Sequence, residues 1–184
     1  ENSIEALLRQ VDAVKLTGIE KEIVIIDDGS TDKTREILKK FEVKHKVFYH
    51  PRNLGKGAAL RTGFFHAEGD YVIVQDADLE YDPREYQHVL QPLIDGRADV
   101  VYGSRFVGSE PHRVMYFWHY LGNRFLTVLS NFFTGLNLTD MEVCYKAFNR
   151  KVVDSLKDRI RAKRFGIEPE LTALVAKGNW RIYD

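Results

Sequence analysis

Two aspartates close the run Tyr71-Val72-Ile73-Val74-Gln75-Asp76-Ala77-Asp78-Leu79-Glu80. The β-branched residues read as a strand, and side chains at i and i+2 of a strand point to one side of a sheet. Two carboxylates at an open strand end form a hard-oxygen site suited to Mg²⁺ or Mn²⁺, with water or substrate phosphates completing the shell. The blander reading is a solvated acidic turn leading into Asp82-Pro83. A second apolar run, Ile23 to Ile26, stops at Asp27-Asp28-Gly29-Ser30. A third pattern, Pro51-Arg52-Asn53-Leu54-Gly55-Lys56-Gly57, leads into a helix expected over Ala58 to Ala67. Glycines before a helix let backbone N–H groups approach an anion, and Lys56 adds charge. The spacing is not that of a P-loop, and taken alone it reads first as a helix start. Arg105 stands at the far end of the run Asp99 to Phe106, and Asp140 lies at the start of the stretch 139–148. Ligands of open α/β sheets bind beyond the carboxyl ends of the strands, so these groups are expected to converge on one cleft. A metal, a glycine-lysine helix start and nearby arginines suggest a diphosphate ligand.

The elements that position these residues follow from periodicity. Ile4, Leu7, Leu8, Val11 and Val14 recur at helical spacing, and their apolar face needs a sheet to cover. Strands are expected at 23–26, 46–49, 71–78 and 99–106, with helices after Asp32, over 58–67 and over 83–94. Such alternation predicts an α/β fold with a mostly parallel central sheet and helices on both faces. Phe165-Gly166-Ile167-Glu168-Pro169-Glu170 opens a helix that runs to Ala176, with Glu168 and Glu170 read first as first-turn acids, the alternative being a partly buried carboxylate that faces the cleft, and Pro169 at home there. Trp180 to Asp184 reads as a strand. The chain begins within a helical pattern and ends in that strand, so the expectation is a single domain over 1–184, truncated at both ends, with a strand before the first helix.

Composition narrows the function classes. The 184 residues suit one domain of ordinary size, and 27 basic residues balance 27 acidic ones, so no general nucleic-acid binder is expected. Cys144 is the single cysteine, which excludes an internal disulfide and a cysteine metal cluster. No run is long and clean enough for a transmembrane helix. The stretch 111–139 carries no Asp or Glu and is crowded with aromatics and aliphatics, from Met115 to Phe133. It reads either as a helix on a bilayer interface or as a helix buried over the sheet or in a dimer contact.

Together, Ile-Ile-Asp-Asp-Gly-Ser-Thr-Asp at 25–32, Asn-Leu-Gly-Lys-Gly at 53–57, Asp-Ala-Asp at 76–78, Gly-Ser-Arg at 103–105 and Thr-Asp-Met-Glu-Val-Cys-Tyr-Lys at 139–146 resemble the family 2 glycosyltransferases of the GT-A fold. The pattern is most similar to the polyprenyl- and dolichyl-phosphate sugar synthase group. The resemblance implies an inverting, metal-dependent hexosyltransferase that takes a UDP- or GDP-sugar donor. It implies a polyprenyl phosphate acceptor, or alternatively a saccharide hydroxyl. By resemblance Asp27 and Asp28 contact the base and ribose, and Lys56 and Asp76 belong to the nucleotide-sugar site. Asp76 and Asp78 hold the metal with Glu80 as a third ligand. Arg105, Arg113 and Lys146 lie on the acceptor side, Arg105 with a catalytic share, and Asp140 is the acid near the reacting sugar. The expected location is the cytoplasmic side of a membrane, peripheral or anchored by segments outside this chain, and a homo-oligomer is left open. The family's first strand is absent from these 184 residues.

Two readings from other classes compete. Paired acids after one strand and another Asp after a later one are also the pattern of a receiver-like signalling domain, which would end much earlier and has no place for the 111–139 stretch. A non-catalytic membrane-surface module would keep the fold, but Asp76, Asp78 and Asp140 argue against lost chemistry.

Overall fold

The structure, a computed structural model, describes residues 3–104 and 116–184. Arg105 and Arg113 therefore lie outside the described residues. Helix α1 (Ile4–Ala13) buries Leu7, Leu8 and Val11, the face its periodicity predicts. Strand β1 (Val24–Asp27) pairs in parallel with β2 (Lys46–Tyr49), with α2 (Thr34–Lys39) between them in sequence. Helix α3 (Lys56–His66) begins two residues before its expected start and packs on β1. Strand β3 (Tyr71–Ile73), a 3-10 turn at Pro83–Glu85, α4 (Tyr86–Ile94) and β4 (Val100–Tyr102) follow. Asp82 caps the 3-10 turn by accepting from the Arg84 N–H at 2.9 Å. The second half comprises α5 (Phe117–Thr134), β5 (Lys146–Asn149), α6 (Arg150–Leu156), α7 (Ile167–Ala176) and β6 (Ile182–Tyr183).

The expected mostly parallel sheet is corrected. Two sheets are present among the described residues, β1-β2 and the four-stranded β3-β5-β4-β6. In the larger one β4 and β6 are parallel, whereas β5 runs antiparallel to both β3 and β4. The reason is the route of the chain. The segment before β5 lies at the carboxyl ends of its neighbours, where Tyr145 C=O accepts from Gly103 N–H at 2.8 Å and Lys146 C=O accepts from Val74 N–H at 3.0 Å. A strand entering from that end must run against both. The fold is thus an α/β architecture with a mixed sheet flanked by helices.

Strand β5 is the centre of the main core. Ala147 and Phe148 are fully buried, as are Val152, Val153 and Leu156 of α6 and Leu171 and Val175 of α7. Phe148 meets Phe64 of α3 edge-on, with ring centroids 5.6 Å apart, which ties α3 to the larger sheet. Helix α5 lies against α7 rather than over the sheet, and its apolar side chains are mostly exposed. Phe148→Ala should therefore destabilise the chain by about 3–5 kcal/mol, the range for emptying a buried aromatic site. A urea unfolding midpoint lowered at unchanged slope would register it.

Candidate active site

Strand β3 ends at Ile73, so Asp76 and Asp78 sit in the loop beyond it rather than on the strand. The sequence overestimated the strand because Val74 continues the apolar run, yet its N–H already bonds at the entry to β5. The loop is held from beneath. Gln75 Oε1 accepts from the hydroxyls of Tyr86 at 2.9 Å and Tyr145 at 2.8 Å, while its Nε2 donates to the Asp76 carbonyl at 2.8 Å. Asp76 N–H donates to Cys144 Sγ at 3.1 Å, and Cys144 N–H donates to the Tyr81 hydroxyl at 3.0 Å. Burial, then the Asp76 charge, pushes the Cys144 thiol well up, so this sulfur is a brace and not a nucleophile. Leu79 takes a positive φ of 61°, in the left-handed region that a branched aliphatic rarely adopts. The turn it makes leaves Asp78 exposed, with Oδ1 accepting from Glu80 N–H at 3.0 Å.

Lys56, the first residue of α3, reaches Asp76 Oδ2 at 2.7 Å and Glu168 Oε1 at 2.9 Å. The other oxygen of Glu168 takes the ammonium of Lys146, which also donates to the Val143 carbonyl. Lys146 is 1% exposed and Glu168 6%, so the chain of charges Asp76–Lys56–Glu168–Lys146 runs from a partly exposed end at Asp76 to a buried end at Lys146. Burial works against the Lys56 charge, but Glu168 and then Asp76 outweigh it and hold the ammonium well above its ordinary range. Lys146, expected on the acceptor side, is thus spent on Glu168 and stands 5.3 Å from the Tyr102 ring centroid. Glu168, read from sequence as a helix-terminal acid, is the group that joins the two lysines. Its signal was the Glu168-Pro169-Glu170 step at a helix start, which cannot by itself tell a cap from a buried bridge. Glu142 was also missed. It is half-buried, and burial first and the Glu168 charge second raise its carboxyl above the ordinary range. Asp140 is fully buried, next to Thr139, whose N–H donates to Asp184 at 2.6 Å.

The Asp27-Asp28 pair does different work at its two positions. Asp27 is buried against Arg35 Nε at 2.7 Å. Asp28 ties the end of β1 to the glycine loop: Leu54 and Gly55 N–H groups donate to its two oxygens at 2.9 and 2.7 Å, and His50 Nδ1 donates at 2.7 Å. Gly55 has φ 97°, and a Cβ on Gly57 would collide with the Ala162 carbonyl, so this loop needs glycine for the close approach of 162–163. The brace delivers Lys56 to Asp76.

A divalent cation of the Mg²⁺ or Mn²⁺ kind is held by one or two carboxylates and completes its shell with water and substrate phosphate. The exposed Asp78 beside the partly exposed Asp76, in a loop open to solvent, fits that use. No group of three His, Cys, Asp or Glu side chains that could hold a metal forms among the described residues.

The Asp28 brace has a pH signature. Burial works to raise its carboxyl, but His50 and the Leu54 and Gly55 N–H groups outweigh it and hold the pKa below the ordinary value. A depressed carboxylate contributes stability above its unfolded pKa of about 3.9 and loses it as pH falls through the folded value. Asp28→Asn should therefore lower the melting temperature at pH 7, and the gap to the parent chain should close as pH falls below about 4. Thermal melts across pH 3–7 check this.

Comparison with known proteins identifies the family. The sequence matches the family described as Glycosyl transferase family 2 over residues 1–157. It is 29% identical over 175 residues to the UDP-N-acetylglucosamine–dolichyl-phosphate N-acetylglucosaminyltransferase of Methanococcus voltae, covering 85% of this chain and 69% of that protein. It is 27% identical over 163 residues to a dolichyl-phosphate beta-glucosyltransferase of Trichomonas vaginalis, covering 83% and 48%. Glucosyl-3-phosphoglycerate synthase from Mycobacterium tuberculosis, solved with Mn²⁺, UDP-glucose and phosphoglyceric acid, shares the fold with a TM-score of 0.70 at 22% identity, over 100% of this chain and 64% of its own. The chain thus spans 48% to 69% of the length of these proteins. With residues 1–157 of its 184 matched, the chain belongs to glycosyl transferase family 2.

Proposed function

We propose that this chain carries the catalytic region of an inverting transferase that moves a sugar from a nucleoside diphosphate sugar to a polyprenyl phosphate. The observation that carries the reading is the Asp76–Lys56–Glu168–Lys146 chain, which pins the Asp76 carboxylate beyond β3 to a fixed ammonium. In this reading Asp76 and Asp78 hold the divalent ion, Mg²⁺ or Mn²⁺. When bound, that ion supplies charge neutralisation for the departing diphosphate. Lys56 keeps a second positive charge beside it, fixed before the donor arrives, so little reorganisation accompanies the reaction.

The acceptor oxygen bonds to the anomeric carbon as the bond from that carbon to the diphosphate oxygen breaks, through an oxocarbenium-like state. A phosphate monoester, with a second pKa of about 6, attacks as an anion and needs no proton removed. Asp140 then serves the positive sugar electrostatically rather than as an obligate base, and Arg105 and Arg113 hold the acceptor phosphate. Support for a lipid phosphate comes from two of the relatives, the Methanococcus voltae and Trichomonas vaginalis proteins, which are dolichyl-phosphate transferases. Support for a UDP-linked donor comes from one of those names and from the UDP-glucose complex of the similarly folded synthase.

The test is transfer of labelled sugar by the full-length protein from UDP- and GDP-sugars to a short-chain polyprenyl phosphate, with Mn²⁺ or Mg²⁺. Asp78→Asn should reduce metal-stimulated transfer by at least about 100-fold, the scale of losing a preorganised charge. Asp140→Asn should slow transfer without a steep rise of rate with pH. Labelling of a phosphorylated small metabolite or a saccharide hydroxyl instead, with an Asp140→Asn rate that climbs with base, would overturn the lipid-phosphate acceptor.

A further inference from the structure

Helix α5 is folded inside out. At about 100° per residue, its eighteen positions divide into two unbroken arcs. One arc holds Asn123, Thr127, Ser130, Asn131 and Thr134, which face the body of the protein, with the partly exposed Tyr120 among them. Thr127 is the helix's one buried residue, and its Oγ1 accepts from Met141 N–H at 3.1 Å. Asn131 donates from Nδ2 to the Leu138 carbonyl at 2.8 Å and accepts from Leu138 N–H at 3.1 Å. The opposite arc is apolar apart from Gly122 and faces outward: Phe117 is 66% exposed, Trp118 75%, Phe132 80% and Phe133 76%, with Phe125 and Val128 between them. The usual rule, apolar face to the core, is reversed.

We propose that this outward face seats in the interfacial region of an anionic bilayer. Three observations select lipid over a second protein surface. The apolar arc covers about half the circumference, whereas helix pairing uses a narrower seam of two or three positions in seven. His119 and Arg124 stand at its two borders, where a long cationic side chain can reach phosphate headgroups while its stem stays in the apolar layer. The helix has no Asp or Glu, so nothing on it repels an anionic surface. Aromatic pairs close both ends, Phe117–Trp118 and Phe132–Phe133, the Phe rings adding apolar area and Trp118 the ring that favours the headgroup boundary. No described helix is long and apolar enough to cross a membrane, so α5 lies on the surface. Through Thr127 and Asn131 the seated helix is tied to 138–141, the segment that carries Asp140. The proposal does not depend on which acceptor the protein uses.

The test uses this 184-residue chain and phosphatidylcholine vesicles with and without phosphatidylglycerol. Co-sedimentation with the anionic vesicles is expected, weakening with salt as the Arg124 contribution is screened. In a Trp180→Phe background the emission of Trp118 should shift to the blue on binding. Replacing Phe117 and Phe132 by Ser should lower the partition coefficient by about tenfold or more with an unchanged melting temperature, because both side chains are already in water. Absence of partition would overturn the proposal. So would a concentration-dependent dimer in sedimentation velocity that the same Ser variant dissolves while vesicle binding is unaltered, since that assigns the face to a second copy. A variant that melts lower and binds vesicles as before would assign it to the protein's own packing.

Discussion

The carboxylate of Glu168 between two lysines is the interaction on which the site depends. Lys146 is buried at the start of the central strand, and a lone ammonium there would be prohibitively desolvated. Glu168 makes that charge tolerable and in turn holds Lys56, which it shares with Asp76. One side chain therefore links the start of α7, the start of β5, the start of α3 and the loop after β3. Removing either end of such a buried arrangement leaves an uncompensated charge, which is why it constrains geometry more than it stabilises the fold.

The fold supports this constraint from two directions. Antiparallel β5 brings Cys144, Tyr145 and Lys146 to the carboxyl ends of β3 and β4, where they brace the acidic loop through the Asp76 amide and the Gln75 side chain. Asp28 holds the glycine loop so that α3 starts at Lys56 and not two residues later. A parallel β5 would have delivered the same residues to the far side of the sheet.

Much of this was legible in the sequence. The i, i+3, i+4 pattern of Ile4, Leu7, Leu8 and Val11 fixed α1 and its buried face, and the acid-ended runs located the loops at Asp27 and Asp76. What was not legible was tertiary. Strand direction depends on which end of the sheet the chain enters, and nothing local to Lys146–Asn149 records that. Glu168 is a first-turn acid as expected, but a helix N-terminus and a buried lysine both favour a carboxylate there, so the local pattern does not show that it also bridges two lysines. The stretch of α5 is read for its aromatics and aliphatics alone, and the polar stripe Asn123, Thr127, Ser130, Asn131 that the structure turns inward is passed over; periodicity in any case shows that a helix has two faces and not which one the protein keeps for itself.

The central claim is that Glu168, by sharing Lys56, leaves the Asp76 carboxylate able to serve a metal-bound diphosphate. Calorimetric titration of UDP and GDP into the parent chain and Glu168→Gln, with and without Mn²⁺, tests it most directly. Without Glu168 the Lys56 ammonium falls wholly to Asp76, so the Mn²⁺-dependent part of the affinity should drop by about tenfold or more while the metal-independent part changes little. Equal Mn²⁺ enhancement in the two proteins, with Glu168→Gln still folded by its melting curve, would contradict the account.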